Sequence, residues 1–186
     1  GDRVAVYPVF EGLDISPAVK LRAAPLRRPA FVVDVNLGKL ARRLRLLGFD
    51  TLFSNAYTDP EIAAISQAQH RIVLTRDRRL LHAKTITHGY WVRSDIPAQQ
   101  LEEVVRRFDL AGAARPFSRC ATCNGLIEPV AKRDVLPLLE PGTRRHYEKF
   151  YRCRACGKVY WEGPHITRLR QLLPGFLGGG LGTTGN

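Results

Sequence analysis

Apolar residues along this chain follow two periods. Between positions 31 and 110, short unbroken apolar runs alternate with stretches in which apolar residues recur every three or four positions. The first run, Phe31-Val32-Val33-Asp34-Val35, reads as a strand buried on both faces. Leu37, Leu40, Ala41, Leu44 and Leu47 follow at helical spacing, and Gly48 closes the pattern as a C-cap. Residues 49–53 predict a second strand. Asp59 and Pro60 open a helix to about Ala68, with Asp as N-cap and Pro at its first position. Residues 71–75 predict a buried third strand, followed by a short helix over 78–83. Residues 89–93 predict a fourth strand. A helix from Pro97 through Phe108 then places Leu101, Val104, Val105 and Phe108 on one face. This alternation predicts an α/β fold: a parallel sheet flanked by helices, with right-handed crossovers.

The flanks differ in composition. Residues 1–10 read as a lone strand, which cannot bury itself. Residues 11–30 carry Pro17, Pro25 and Pro29 among basic residues and read as a linker. The stretch 111–116 marks a boundary that closes a first unit of 31–112. A second, small unit is expected over 117–173, and the Gly-rich residues 174–186 read as disordered. The sequence contains no Met, so the expectation is a processed chain or a fragment.

Against this background Asp34 stands out, because it interrupts an apolar strand near its C-terminal end. In open α/β sheets that edge is where ligands bind. A buried carboxylate costs several kcal/mol unless something compensates it. Asp77 ends the third strand and Asp95 the fourth, while Asp59 opens a helix entering the same rim, with Glu61 close behind. Each has a bland reading: Asp59, Asp77 and Asp95 as helix caps, Glu61 as first-turn dipole complementarity. Gathered together, carboxylates repel one another and a shared divalent cation relieves them. Mg²⁺ and Mn²⁺ favour oxygen ligands and accept phosphate oxygens, which suits phosphodiester hydrolysis. Arg76 and Arg78 flank Asp77, and Lys39 and Arg42 lie on the polar side of the first helix, so they are candidates for a phosphate track. Arg43 and Arg45 read as a solvated helix face. Asn36 is placed either to orient a metal-bound water or to cap the helix.

Cys120-Ala-Thr-Cys123 and Cys153-Arg-Ala-Cys156 form two knuckles, separated by 29 residues (124–152). Two CxxC pairs predict a closed tetrahedral Cys₄ zinc site with a structural role. The long gap predicts an insertion, with a helix near 133–139. Gly125 and Gly157 supply the turns after each knuckle. Paired thiols of this kind suit a reducing compartment, and the expectation is a cytoplasmic protein. From Phe117 onward there are 11 Lys/Arg against 5 Asp/Glu, a net of +6. Aromatics including Trp161 are interleaved with basic residues such as Lys158, a composition that can stack bases or simply pack the ribbon. His165 is a candidate RNA contact rather than a fifth zinc ligand.

Charge narrows the partner. The 186 residues carry 29 Lys+Arg against 17 Asp+Glu, a formal net of +12, and Arg predominates. A polyanion is the expected partner, nucleic acid before an anionic membrane. No run approaches the ~20 apolar residues of a membrane span, and no secretory signal is visible.

The run from Phe31 to Asp50, with Asp34, Asn36, Lys39 and Arg42, resembles the opening of the Mut-seven C-terminal RNase domain family, a branch of the PIN-like nucleases. Thr58-Asp59-Pro60-Glu61-Ile62 and Ile72 to Arg78 resemble its next two blocks. Phe117 to Asn124 and Cys156 to His165 resemble its zinc-ribbon half. The resemblance covers about residues 30–173. It implies a PIN-like α/β fold, RNA as substrate and Mg²⁺- or Mn²⁺-dependent cleavage leaving a 5′-phosphate and a 3′-hydroxyl. Asp34 and Asp77 would then be metal ligands, Asp59 the helix acid with Glu61 as its rival, and Asp95 the variable fourth acid. Where the family often has a pair of acids, this chain has Thr58-Asp59. Residues 1–8 resemble the closing strand of a ubiquitin-like domain, which some bacterial members carry in front; such a domain would be a surface for a protein partner. The expectation is a metal-dependent ribonuclease whose basic zinc ribbon grips RNA, structured RNA such as tRNA included. The alternative is a non-catalytic RNA-binding zinc-ribbon protein.

Overall fold

The computed structural model describes residues 29–163. The strand expected in 1–10, nearly all of the linker, the Gly-rich tail and His165 lie outside the described residues. Four strands, β1 (Ala30–Val33), β2 (Asp50–Leu52), β3 (Ile72–Thr75) and β4 (Gly89–Trp91), form a parallel sheet in the order β2-β1-β3-β4. Helices α1 (Gly38–Leu46), α2 (Asp59–Gln69) and α3 (Pro97–Arg107) supply the connections and flank. Period-2 alternation sorts the strands' side chains. Phe31, Val33 and Leu74 face a core shared with Leu40 and Leu44 of α1 and Leu101 and Val104 of α3. Val32 and Val73 face the opposite side, against Ile62 of α2 and Leu80. The α/β expectation, a parallel sheet flanked by helices, is met.

Several boundaries move, each for a local reason. β1 stops at Val33 because the Asp34 side chain accepts from the Val35 amide at 2.6 Å, turning the chain into a 3₁₀ turn over Val35–Leu37 before α1 begins. Asp34 therefore does cap a turn, contrary to the expectation that it only interrupts a strand. Helix α2 is capped by Thr58 rather than Asp59: the Glu61 carboxylate accepts from the Thr58 amide and hydroxyl, both at 2.8 Å. The short helix expected over 78–83 is a single 3₁₀ turn, Leu80–His82. At α3 the N-cap is Ile96, and Asp95 does not cap it. Gly48 ends α1 with φ +92°, and a Cβ there would lie 2.1 Å from the Arg115 carbonyl oxygen, so the glycine is needed twice over.

Beyond residue 116 the chain builds a second, antiparallel sheet: β5 (Ile127–Val130), β6 (Phe150–Cys153) and β7 (Val159–Trp161), in that order. The expected insertion between the knuckles contains α4 (Lys132–Val135), a 3₁₀ turn Leu136–Leu138 and α5 (Pro141–His146). Val135, Leu139 and Phe150 bury a small cluster, joined by Tyr147 and Trp161.

The two sheets are joined through polar groups that the apolar pattern does not reveal. Arg45, expected on a solvated face, is buried. Its Nε donates to the Thr51 carbonyl at 2.8 Å, and its Nη1 donates to the Thr122 and Ala121 carbonyls at 2.8 and 3.3 Å, inside the first cysteine knuckle. Asp50 accepts from Arg71 and Asn124 through one oxygen, both at 2.8 Å, and from Arg119 through the other at 3.0 Å. Burial pushes the Asp50 carboxyl up, but the bonds from Arg71 and Asn124 and the charges of Arg71 and Arg119 prevail and hold it low. Arg45→Met should leave the three carbonyls without their donor and lower stability by about 1–3 kcal/mol, read as a shift in the urea midpoint. An unchanged midpoint would mean the mooring contributes nothing. Arg43, the other residue assigned to a solvated face, is half-buried, and its Nη1 meets no hydrogen-bond partner among the described residues.

Candidate functional site

The order β2-β1-β3-β4 sends the chain from β1 outward to β2, then back across to β3. The connections therefore diverge at the carboxyl ends of β1 and β3, the position where α/β sheets open a ligand crevice. Asp34 follows β1 and Asp77 follows β3. The register pairs Val33 with Leu74, so Asp34 comes level with Thr75, and the Asp34 amide donates to the Leu74 carbonyl at 3.0 Å. Thr75 is buried and joins the two acids. Its hydroxyl donates to Asp34 Oδ2 at 2.8 Å and accepts from the Asp77 amide at 2.8 Å. Asp34 is 5% exposed, and its two oxygens have the Val35 amide and the Thr75 hydroxyl as partners, both neutral. Asp77 is exposed, and its carboxylate also accepts from the Arg79 amide at 2.8 Å.

The remaining acids are differently placed. Asp95 follows β4 on the same rim and is paired with Arg76, whose Nη1 also donates to the Ser94 carbonyl at 2.9 Å. Asp59 and Glu61 lie in the exposed first turn of α2, which follows β2 onto that rim. Glu61 is engaged in the cap, whose Thr58 amide and hydroxyl hold its carboxyl below the usual range. Among the described residues, the acids form no group of three or more ligand atoms within 4.8 Å of one another; the four cysteines do. An ion of the Mg²⁺ kind is held by one or two carboxylates, waters and substrate phosphates rather than by a closed protein cage. Asp34 and Asp77 offer donors of that chemistry.

The candidate contact residues lie on the segments that follow Asp34 and Asp77 in the chain. Asn36, Lys39 and Arg42 are exposed on the turn and helix after Asp34. The Arg78 guanidinium lies over the Trp91 ring, 3.8 Å from its centroid, and the Trp91 indole donates to the Arg76 carbonyl at 3.2 Å. Glu103 of α3 accepts from the Arg93 amide at 3.1 Å, the Ser94 amide at 3.3 Å and the Tyr90 hydroxyl at 2.8 Å, fixing the loop after β4. Thr75, Glu103 and Trp91 all escaped the reading of the sequence. A hydroxyl ending a buried strand beside an acid-bearing one is the signal that marks Thr75; Glu103 has none, since it resembles any polar helix position.

At the other centre, Cys120, Cys123, Cys153 and Cys156 bring their sulfurs together within 4.8 Å, with Cys120–Cys156 at 3.6 Å and Cys123–Cys153 at 3.5 Å. A zinc tetrahedron with ~2.3 Å Zn–S bonds has edges of roughly 3.8 Å, so the donor set and its spacing fit zinc. Burial raises the Cys120 thiol, but the Tyr160 hydroxyl at 3.0 Å and the amides of Cys123 and Thr122 bring it down to about 6. Burial and the neighbouring sulfurs push Cys123 up to about 12 despite the Gly125 amide. One thiolate formed in isolation thus holds its neighbours protonated, a conflict that a soft cation removes. Tyr160 also accepts from the Ala121 amide at 3.1 Å, and burial and Cys120 raise its own hydroxyl. The left-handed residue of the first knuckle is Asn124 (φ 67°), not Gly125; at the second it is Gly157 (φ 72°). Gly125 serves close packing instead, since a Cβ would meet Ala155 at 2.9 Å and Cys153 Sγ at 3.1 Å. Lys158 is exposed and donates to the Thr122 hydroxyl at 3.2 Å, whereas Trp161 packs on the ribbon cluster beside Tyr147.

A parallel α/β sheet with acids at its switch point, followed by a Cys₄ ribbon, defines the class: an α/β protein with a cysteine centre that could bind zinc. The chain matches the family model of the Mut7-C RNAse domain over residues 29–173, and it belongs to that family. No curated protein and no solved structure matches it. Membership points to a nuclease or RNA-related function. Among the described residues, no helix is long and apolar enough to cross a membrane.

Proposed function

We propose that the protein is a metal-dependent ribonuclease that hydrolyses RNA phosphodiester bonds at the rim formed by Asp34 and Asp77. The observation that carries this is the Thr75 bridge. A buried carboxylate with only neutral partners is joined, at the sheet's switch point, to a second acid in a chain of the RNAse domain family. A hard divalent cation, when bound, lowers the pKa of a water and neutralises charge on the phosphate. Asp34 and Asp77 would hold it, with Asp59 exposed on the same rim but outside any three-acid donor cluster among the described residues. Asp95 is withheld from that set by Arg76, and Glu61 by the helix cap. Exposed Lys39, Arg42 and Arg78 supply positive charge for the phosphates that flank the cut. Residues 31–112 form the nuclease unit in this reading. Residues 117–173 form a zinc-stapled ribbon whose Lys158, and His165 beyond the described residues, add RNA contacts. The site of action would be the cytoplasm, where CxxC pairs stay reduced.

Incubating the protein with RNA and Mg²⁺ or Mn²⁺ tests the reading, with cleavage to 5′-phosphate ends as the expected product. RNA that is bound but never cut, across a panel of divalent metals, would leave the binding-only alternative standing. The basic surface carries its own expectation. Affinity for RNA should fall steeply with salt, by roughly 0.7 log units per log unit of salt for each phosphate neutralised on a single strand. A flat response would contradict a phosphate track.

A further inference from the structure

β4 is an edge strand of the sheet; of its successive aromatic residues, Tyr90 packs toward the core shared with α3 and Trp91 lies on the opposite face, and both have guanidinium groups beside their rings. Arg78 stacks on Trp91 at 3.8 Å, Arg93 lies 5.6 Å from the Trp91 centroid and 5.7 Å from that of Tyr90, and Arg107 lies 5.9 Å from Tyr90. Arg78, Arg93 and Arg107 are exposed. The stack is braced from beneath. Trp91 is held by the Arg76 carbonyl, and the Tyr90 hydroxyl is held by Glu103, which also anchors the Arg93 and Ser94 amides. It begins one residue from Asp77, so it runs directly onto the rim.

We infer that the Arg78–Trp91–Arg93 ladder on the β4 edge is a binding site for unpaired nucleotides of RNA, which it grips by stacking beside the point of cleavage. The inference rests on the ribonuclease reading for the identity of the strand. An edge strand can be protected by charge alone, without any aromatic ring. Here an exposed guanidinium lies over an indole, 3.8 Å from its centroid. Bases stack on aromatic and Arg planes of this kind when they are not paired, while the charges track phosphates. In a duplex the base faces are already covered, so the ladder should favour single-stranded flanks and set where in an RNA the cut falls.

The test uses the full chain without added Mg²⁺ or Mn²⁺, so that binding is read without cleavage. The probes are a fluorescein-labelled oligouridylate and the same strand annealed to oligoadenylate. Trp91→Leu should weaken binding of the single strand about 5- to 100-fold while leaving the duplex almost unchanged. Trp91 is half-buried, so Arg78→Lys, at an exposed position, provides the second arm. It keeps the charge, loses the plane, and should lower single-strand affinity several-fold with an unaltered salt slope. Equal losses on both probes, or none with either variant, would overturn the inference and leave the ladder as a cover for the sheet edge. A wild type that prefers the single strand through these residues but cuts nothing with Mn²⁺ would sink the ribonuclease reading and spare the site.

Discussion

Asp34→Asn should abolish metal-stimulated cleavage of RNA, by roughly a thousandfold or more, while RNA binding and the fold survive. That loss corresponds to about 4 kcal/mol of transition-state stabilisation, the scale of charge neutralisation by a bound metal. The fold should tolerate the change because Asn is isosteric. Its carbonyl can accept from the Val35 amide in place of Oδ1, and its amide can donate to the Thr75 hydroxyl in place of Oδ2. What the substitution removes is the negative charge, which neither partner neutralises. The outcome is read from initial rates with Mn²⁺, alongside binding measured without it. Cleavage at wild-type rates would exclude Asp34 from the chemistry. Loss of binding together with cleavage would mean that the rim shapes the RNA surface rather than cutting.

Removing zinc should have the largest structural effect. Structural zinc contributes on the order of 10 kcal/mol in small zinc peptides, comparable to the whole stability of a typical domain. The ribbon's only apolar cluster among the described residues is the small one around Val135, Leu139 and Phe150. Chelation, or Cys120→Ser, is therefore expected to dissolve the β5-β6-β7 sheet, with loss of the near-ultraviolet dichroism to which Trp161 contributes. The effect should travel. Arg45 donates into the first knuckle, and Asn124, the residue after Cys123, accepts from the Thr51 amide at 3.1 Å and donates to Asp50. Slower-exchanging amides of β1 and β3 should persist while those of β2 lose protection. An apoprotein with the same dichroism and the same amide protection would show that the cysteines do not staple the ribbon.

Much of the parallel sheet was legible because its causes are local. A short apolar run rich in Val favours a buried strand at that length, and the acids at the strand ends inherit their common rim from parallel topology. The cysteine centre was equally legible, since two CxxC knuckles leave little else to form. What escaped was decided across long sequence distances. Arg45 follows Leu44 on the helix, and periodicity assigns it to solvent, yet two of the three carbonyls it serves lie 76 and 77 residues away. Asp50 gathers Arg71, Arg119 and Asn124 by the same kind of distant convergence. The acids were expected to converge as a group, and helix α2 explains why only part of the set is free: the capping box at its N-terminus engages Glu61 through the Thr58 amide and hydroxyl. Trp161 shows a different case: of the two readings its basic surroundings leave open, its ring's contacts match packing on the ribbon.

The most direct measurement is Mn²⁺ binding to the zinc-loaded protein, followed by the paramagnetic resonance of the free ion. The wild type should bind Mn²⁺ saturably, Asp34→Asn and Asp77→Asn should each weaken that binding at least tenfold, and Asp95→Asn should leave it almost unchanged. Identical isotherms for the wild type and the Asp34 and Asp77 variants would mean that these two carboxylates share no ion.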